Sequence, residues 1–217
     1  MKQWVHKLQR HGTLVARFGL RNWYMARQAV SAGGIIQKTA ELAGLLKALS
    51  GLRARWILEI GVAEGGSLAL WARAAAPGAA LIGIDPRISG EAERRIRSGM
   101  RAEQGLLLLA MTSSEARGRV GEWLAGELLD FLFIDGAHDY EAVASDFDLY
   151  RPLVRSGGLI AFHDICPDLW HRQGIRSTND SGQVPHFWNE IKVGYQHHEI
   201  IEEQDQDGFG IGLLWNP

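Results

Sequence analysis

The 217-residue sequence is poor in cysteine, with Cys166 alone, and has only six prolines. A single cysteine excludes an internal disulfide framework and fits a reducing compartment. No apolar run approaches the roughly 20 residues of a membrane span, and the first residues lack the apolar core of a signal peptide. These absences predict a cytoplasmic globular protein. A hydrophobic content of 46% is enough for one substantial core.

Acidic residues are missing from the first forty positions. Seven basic residues, from Lys2 to Lys38, precede the first acid, Glu41, whereas the rest of the chain holds 16 basic and 25 acidic residues. Such asymmetry is typical of an arm that meets an acidic partner, a membrane surface or a phosphorylated substrate. The alternative is a helical arm that lies on its own acidic body or on another subunit. We predict a basic helical arm over residues 1–34, a route to homo-oligomers, and no nucleic-acid partner.

The stretch ILEIGVAEGGS, residues 57–67, predicts a buried strand that breaks into a glycine-rich turn. Gly61 ends the strand, and the helix that follows presents amides suited to polar or anionic groups. The strict dinucleotide spacing G-x-G-x-x-G fails because residue 63 is alanine. Asp85, at the end of the next apolar run, follows where an acidic residue reaches ribose hydroxyls. The alternative is a plain turn whose glycines permit close packing.

Short apolar runs alternate with helical segments, which predicts a Rossmann-like, doubly wound and mostly parallel α/β sheet over residues 35–217. Two strand-like runs flank the turn residues 205–208, so an antiparallel hairpin is expected at the carboxyl terminus. The predicted strands are 56–60, 81–84, 106–110, 131–134, 159–162, 195–202 and 209–215. The predicted helices are 35–49, 67–71, 91–100, 120–128, 141–150 and 184–191.

Ligands of such a sheet lie beyond the carboxyl ends of its strands. One polar site or glycine follows each of five predicted strands, so a single edge is expected to carry the functional site. These five residues are Gly61, Asp85, Ser113, Asp135 and Asp164.

A second motif, IDG-x-H-x-Y, begins at Ile134 within the segment FLFIDGAHDYEAVASDFDLYRPLVRSGGLIAFHDI. Together with LEIGVAEGGS and IGIDP, this segment resembles the class I S-adenosylmethionine-dependent methyltransferases. The resemblance is to the small-molecule O-methyltransferase branch, which includes cephalosporin-hydroxylase-like and sugar O-methyltransferase proteins. It covers about residues 35–215. It implies methyl transfer from S-adenosylmethionine to a small acceptor, most often at a hydroxyl oxygen.

The resemblance also implies roles for individual residues. The methionine part of the cofactor would lie on the turn after the first strand, the ribose hydroxyls would bond Asp85, and the adenine would lie near residues 112–114. The residues implied in cofactor binding are Glu59, Gly61, Glu64, Gly65, Ser67, Asp85, Ser113 and Asp135.

Metal-dependent relatives carry ligands at the positions of Asp135 and of the adjacent pair His163 and Asp164. The resemblance therefore implies a site for Mg²⁺ or another divalent cation. His163 departs from the oxygen ligands of those relatives, and an imidazole favours a transition metal.

His138 and Asp135 are the candidate catalytic residues. A histidine with a pKa near 6.5 takes the proton that an alcohol acceptor must lose. Two schemes stay open: a divalent ion acidifies the acceptor, or Asp135 orients His138 without a metal. A structural alternative for His138 is to cap the following helix.

Two other classes of function also stay open. One is a Rossmann enzyme that binds NAD or a nucleotide and performs other chemistry. The other is a catalytically silent cofactor-binding scaffold that meets partners through the basic arm.

The long polar segment 168–183 predicts a mobile lid over the acceptor, since such loops are usually functional or disordered. Arg172 and Arg176 would then contact an anionic or glycosylated acceptor, and Trp170 or Trp188 would form a wall of its pocket. The remaining residues of interest are assigned to the core (Trp56, Trp71, Trp123), to a small buried position (Cys166) and to the surface or packing (His197, His198).

Overall fold

The computed structural model describes residues 16–217, so Trp4 and the other residues of 1–15 lie outside it. The helices are α1 Leu20–Ser31, α2 Thr39–Leu52, α3 Gly66–Ala74, α4 Gly90–Gly99, α5 Ser113–Leu124, α6 Tyr140–Tyr150, α7 Leu169–Gln173 and α8 Val184–Ile191. The strands are β1 Trp56–Ile60, β2 Ala80–Ile84, β3 Gly105–Leu109, β4 Leu129–Ile134, β5 Val154–His163, β6 Gln196–Ile200 and β7 Ile211–Trp215. Among residues 16–217, no helix is long and apolar enough to cross a membrane.

The strands form one seven-stranded sheet in the order β3-β2-β1-β4-β5-β7-β6. The pairs β1–β2, β2–β3, β1–β4 and β4–β5 are parallel, whereas β7 runs antiparallel to both β5 and β6. This order confirms the predicted doubly wound sheet and its terminal antiparallel hairpin. The strand order reverses between β1 and β4, which is where open α/β sheets bind ligands.

Two apolar layers cover the sheet, as expected for parallel strands that are buried on both faces. On one face, Trp71 of α3 packs edge-on against Phe131 and Phe133 at ring distances of 5.6 and 5.4 Å. On the other face, Trp188 of α8 is fully buried beside Phe162. The prediction that Trp188 forms a wall of an acceptor pocket is therefore wrong.

The described part of the predicted arm is helical and shares the core of the body. Helix α1 buries Trp23, Ala26 and Ala29. These residues are spaced three apart and form a narrow apolar face. The helix contacts α2 and α3. Tyr24 lies on its exposed side. The arm as a separate unit and as an oligomer contact stays a prediction.

Two helices begin at positions that differ from the sequence-based prediction. Helix α2 begins at Thr39, because Gly33 and Gly34 adopt positive φ and residues 34–37, here called the strap, belong to no helix or strand. Ile36, expected on a buried stripe, is 79% exposed on this strap. Helix α5 begins at Ser113, since Thr112 and Glu115 form a reciprocal capping box.

Candidate active site

Two adjoining cavities lie at the carboxyl edge of the sheet. The larger, of about 640 Å³, extends along the ends of β1, β2 and β4 and past the start of α5 to α6. The smaller, of about 310 Å³, lies between the strap at residues 34–37 and the end of β5. Gly61, Ala63 and Asp135 line both cavities. All five polar sites expected at the strand ends line one cavity or the other.

Gly61 sits where the turns after β1 and β4 touch. Its φ is 89°, and a Cβ atom at this position would lie 1.9 Å from the carbonyl oxygen of Asp135. The Asp135 amide donates to the Ile60 carbonyl at 2.9 Å and holds the two turns together, while the Gly61 amide donates to the Ile84 carbonyl at the end of β2. Only glycine permits this approach, because any side chain would collide with backbone.

The strap closes the glycine turn from the other side. A Cβ atom on Gly66 would lie 2.3 Å from the Gly34 carbonyl oxygen, which accepts a hydrogen bond from the Gly66 amide at 3.2 Å. The first turn of α3 is thus covered by a segment that comes from outside the βα units.

Asp85 is fixed at the rim of the larger cavity. Its two carboxylate oxygens accept hydrogen bonds from the amides of Ala63 (2.9 Å) and Arg87 (2.8 Å). Each carboxylate oxygen has further acceptor capacity, so Asp85 can still bind the hydroxyls of a ligand such as a ribose.

Glu59 lies beneath the turn and lines neither cavity. It is fully buried, the Ser67 hydroxyl donates to Oε1, and Oε2 has no partner among the described residues. Burial raises the pKa of Glu59 well above its usual value, the Ser67 hydrogen bond opposes this, and the charge of Asp135 raises the pKa further. Glu59 therefore holds Ser67, which lines the smaller cavity, instead of facing a ligand itself.

The side chain of Glu64, also implied as a cofactor contact, lies outside both cavities. Its side chain is largely exposed and forms an ion pair with Arg95 at 3.5 Å. Arg95 in turn donates to the Glu64 carbonyl at 2.6 Å. The structure does not bring the Glu64 carboxylate to either cavity.

Ser113 bonds a residue that the sequence-based prediction missed. Its hydroxyl donates to Oδ1 of Asp146 on α6, and the Tyr150 hydroxyl, one turn further on, donates to the Ser113 carbonyl at 2.6 Å. Burial raises the pKa of Asp146, and the Ser113 hydrogen bond opposes that shift. The only sequence signal was the four-residue spacing of Asp146 and Tyr150, which places both on one helix face.

Four titratable side chains converge in the smaller cavity. His163 Nδ1 lies 3.1 Å from Asp135 Oδ1 and 2.9 Å from Asp164 Oδ2. His138 Nε2 lies 3.4 Å from the same Asp164 oxygen, and the Gln37 amide donates to Asp135 Oδ2 at 2.5 Å. His138 is thus close to Asp164, whereas the sequence-based scheme paired it with Asp135. Asp139, not His138, caps helix α6.

The His163 imidazole interacts with the carboxylates of both Asp135 and Asp164. It is almost fully buried, which by itself lowers the pKa of the imidazole, but the charges and hydrogen bonds of Asp135 and Asp164 raise that pKa well above 6.5. Asp164 adopts a left-handed φ of 59° and accepts a hydrogen bond from the Phe209 amide at 3.1 Å. The backbone after β5 thereby turns the carboxylate toward the imidazole.

Three of these residues have a donor set that fits a divalent cation. Asp135, His138 and Asp164 each offer one ligand atom, and these atoms lie within 4.8 Å of one another. Two carboxylates and one imidazole suit Mn²⁺ or a comparable transition metal. The sequence-based set contained His163 in place of His138. Because His163 Nδ1 already faces both carboxylates, His138 is the more accessible imidazole.

The predicted lid is tied down at both ends. Asp168 and Ser181 are fully buried and bond each other twice through backbone amides, at 3.0 and 2.9 Å. The segment contains the short helix α7, and its residues 178–180 line the smaller cavity. Its position over the cavity agrees with a lid, and its mobility stays a prediction.

Arg172 has a structural role within this segment. Its guanidinium donates to the carbonyls of Asp205 and Gln206 at 3.0 and 3.1 Å, so the expectation of a substrate contact is wrong for this residue. Arg176 and the exposed Trp170 line a separate cavity of about 400 Å³, which shares Asn179 and Asp180 with the smaller one.

The structure also places the remaining residues of interest, and the core assignment holds for Trp71 but only in part for Trp56 and Trp123. Cys166 is buried, and burial raises the pKa of its thiol to about 12. His197 and His198 are exposed on β6. Trp71 is a core residue, while Trp56 and Trp123 form a partly buried edge-on pair at 5.7 Å.

The strand order and the helices of this sheet match a Rossmann-like methyltransferase fold, as comparison with known proteins shows. Residues 58–165 match the family described as "Methyltransferase domain". This match confirms the methyltransferase predicted from the sequence. A protein of Acanthamoeba polyphaga mimivirus is 34% identical over 127 residues, which are 56% of this chain and 57% of that protein. The match thus spans little more than half of that relative.

Solved O-methyltransferases share the whole fold. TomG from Streptomyces achromogenes, in complex with S-adenosylmethionine, has a TM-score of 0.62 at 20% identity and covers 90% of both chains. The Bacillus cereus O-methyltransferase, in complex with S-adenosylhomocysteine, has a TM-score of 0.64 at 17% identity, with 93% of this chain and 94% of that chain covered. A putative caffeoyl-CoA O-methyltransferase from Staphylococcus aureus has a TM-score of 0.60 at 19% identity, with 98% of both chains covered.

Proposed function

We propose that the protein transfers the methyl group of S-adenosylmethionine to a hydroxyl oxygen of a small-molecule acceptor. The observation that carries this proposal is the meeting of two cavities at Gly61 and Asp135. One cavity has a carboxylate suited to ribose, and the other has a cluster of proton-transferring groups. A methyl donor whose adenosine part lies in the larger cavity would therefore present its reactive end to the smaller one.

The cofactor would occupy both cavities. Its adenosine part fits the larger cavity, with the ribose at Asp85, and its methionine part would lie along Gly61 and Ser67 under the strap. The sulfonium would then be near Asp135, whose carboxylate favours a positive charge. In this arrangement the cofactor would contact the glycines of the turn after β1, Asp85 and Asp135. The family resemblance implies a role in cofactor binding for each of these residues.

His138 would act as the general base. The acceptor oxygen attacks the methyl carbon, the carbon–sulfur bond breaks with its electron pair going to sulfur, and the acceptor proton passes to His138 Nε2. Asp164, at 3.4 Å from Nε2, stabilises the imidazolium that results. General-base catalysis of this kind contributes about 10²–10⁴-fold.

A divalent ion is the second arrangement that the cluster fits. Asp135 and Asp164 would hold it, with His138 as the third ligand and His163 as their hydrogen-bond donor. Such an ion would lower the pKa of the acceptor hydroxyl and fix its orientation. In this arrangement His138 is a ligand, so the two schemes assign different roles to the same imidazole.

The acceptor would enter from the side of the lid. Residues 178–180 separate the smaller cavity from the one that holds Trp170 and Arg176. An exposed indole and a guanidinium suit an acceptor that carries a ring and an anionic or glycosyl group.

Calorimetry with S-adenosylhomocysteine and NAD tests the cofactor first. We expect S-adenosylhomocysteine to bind and NAD not to bind; the reverse result would refute the proposal. Transfer of labelled methyl to a panel of hydroxylated acceptors then tests the reaction. Loss of turnover in EDTA and recovery with Mn²⁺ or Mg²⁺ would support the metal scheme, whereas full activity of the chelated enzyme would leave His138 as a base.

A further inference from the structure

We infer that Asp146 selects the base of the cofactor, with its carboxylate accepting a hydrogen bond from the exocyclic amino group of adenine. The inference rests on the proposed function, because it assumes that the larger cavity holds a nucleoside. It assigns a specificity role to a residue on α6, outside the glycine turn and the strand-end motifs.

Asp146 is only 5% exposed, yet it lines the larger cavity. Asp85 lies at the end of β2, while Asp146, Ala142 and Ser145 come from one face of α6. A nucleoside whose ribose bonds Asp85 would thus extend its base toward Ser113 and Asp146. Carboxylates are seldom buried without a partner, so this position in a cavity wall calls for a donor.

The two oxygens of Asp146 are in different situations. Oδ1 accepts the Ser113 hydroxyl, whereas Oδ2 accepts no hydrogen bond from the described residues. Oδ2 lies beside Gly136, which also lines the cavity: a Cβ atom at Gly136 would be 3.5 Å from it. The free oxygen therefore borders the space that the base would occupy.

The surrounding contacts keep this acceptor in one place. Ser113 is the first residue of α5, and its carbonyl accepts the Tyr150 hydroxyl at 2.6 Å. Asp146 and Tyr150 thus both bind Ser113 from the same face of α6. A fixed, buried acceptor discriminates strongly, since a ligand that offers no donor leaves it unpaired.

Adenine and hypoxanthine differ at the position that this carboxylate would contact. Adenine presents an amino group, which donates, while hypoxanthine presents a carbonyl oxygen, which a carboxylate repels. S-adenosylhomocysteine and S-inosylhomocysteine carry these two bases on the same ribose and amino acid. Their relative affinity therefore reports on the base contact alone.

The experiment is titration calorimetry of both ligands at about pH 8, where an aspartate is ionised unless its pKa is shifted by several units. We expect the wild-type protein to prefer S-adenosylhomocysteine by about 100-fold or more. Asp146→Asn should reduce this preference at least about tenfold, because an amide offers a donor to the hypoxanthine oxygen. Asp148→Asn is the matched control: it makes the same change at an exposed position of α6 that does not line the cavity, so it should retain the preference.

Equal binding of the two ligands by the wild-type protein would overturn the inference without any variant. An unchanged preference in a folded Asp146→Asn protein would overturn it as well. In both cases S-adenosylhomocysteine still binds, so the proposed function stands. If neither ligand binds the wild-type protein, the proposed function itself fails.

Discussion

The two cavities are built from different parts of the chain. Every residue that lines the larger cavity belongs to the range from Ile60 to Asp146, at the ends of β1 and β2 or in the turns and helices that follow β1 to β4. The smaller cavity also uses the strap at residues 34–37, the lid residues 178–180 and Phe209. The family match covers residues 58–165, so it contains the whole larger cavity but only part of the smaller one. Under the proposed function, the matched region would hold the adenosine part of the cofactor, and segments outside it would help to shape the cavity for the methionine part and the acceptor.

The largest effect is expected from a substitution at Gly61, which lies in the wall that both cavities share. Gly61→Ala would place a Cβ atom 1.9 Å from the Asp135 carbonyl in a left-handed conformation. We expect a loss of about 3 kcal/mol or more in the free energy of unfolding, from overpacking and backbone strain together. Urea denaturation measures it.

Gly118→Ala is the control for that substitution. Gly118 is exposed on α5, with no atom within 4 Å of its added Cβ, so alanine should stabilise the helix by about 0.5–1 kcal/mol. A Gly61→Ala protein as stable as the wild type would show that the two turns can separate without cost.

A pair of substitutions sharpens the comparison by affecting one cavity each. Asp85→Ala should weaken S-adenosylhomocysteine binding by about 1–3 kcal/mol, since it removes a fixed acceptor from the larger cavity. His138→Ala should lower turnover by about 10²–10⁴-fold and leave that affinity within about twofold. Calorimetry and methyl-transfer kinetics measure the two effects separately. Equal loss of affinity in both variants would contradict a division of labour between the cavities.

The smallest expected effect concerns Glu59, which lies beneath both cavities. Its pKa is raised above 4.5 in the folded protein, so the folded state binds the proton more tightly than the unfolded chain. Stability from this group is complete below pH 4.5 and is lost as pH rises through the folded pKa, by at most about 1.4 kcal/mol per pH unit. Glu59→Gln should lack this loss. Parallel denaturation of both proteins from about pH 5 to pH 9 measures the difference, and identical slopes would argue against a raised pKa of Glu59.

The sequence predicts the larger cavity better than the smaller one for a physical reason. Gly61 and Asp85 belong to strand–turn–helix units, where local patterns determine the backbone and the strand ends determine direction. The partner of His138 is set by tertiary contacts: Asp164 turns through a left-handed φ that no sequence pattern indicated. Glu64 was assigned from its place in the motif, but Arg95 on α4 draws its carboxylate away.

Gln37 was missed for the same reason, since its place in the site depends on a tertiary contact. Its amide contacts Asp135 across 98 positions of sequence, and the apolar pattern around it predicted a helix that begins too early. Asp146 was missed because a single acid on an amphipathic helix is indistinguishable from a solvent-exposed one until Ser113 is placed beside it.

The strand order also has a consequence for how the protein is made. Ile57 of β1 pairs with Phe131 of β4, and Gly61 rests against Asp135, so the central contacts join residues more than seventy positions apart. Synthesis proceeds at roughly 5–20 residues per second, so β1 waits several seconds for β4. Until β4 is synthesised, the turn at Gly61 lacks its contact with Asp135. During that interval the edge of β1 that later pairs with β4 is unpaired, and the nascent chain must keep it from other strands.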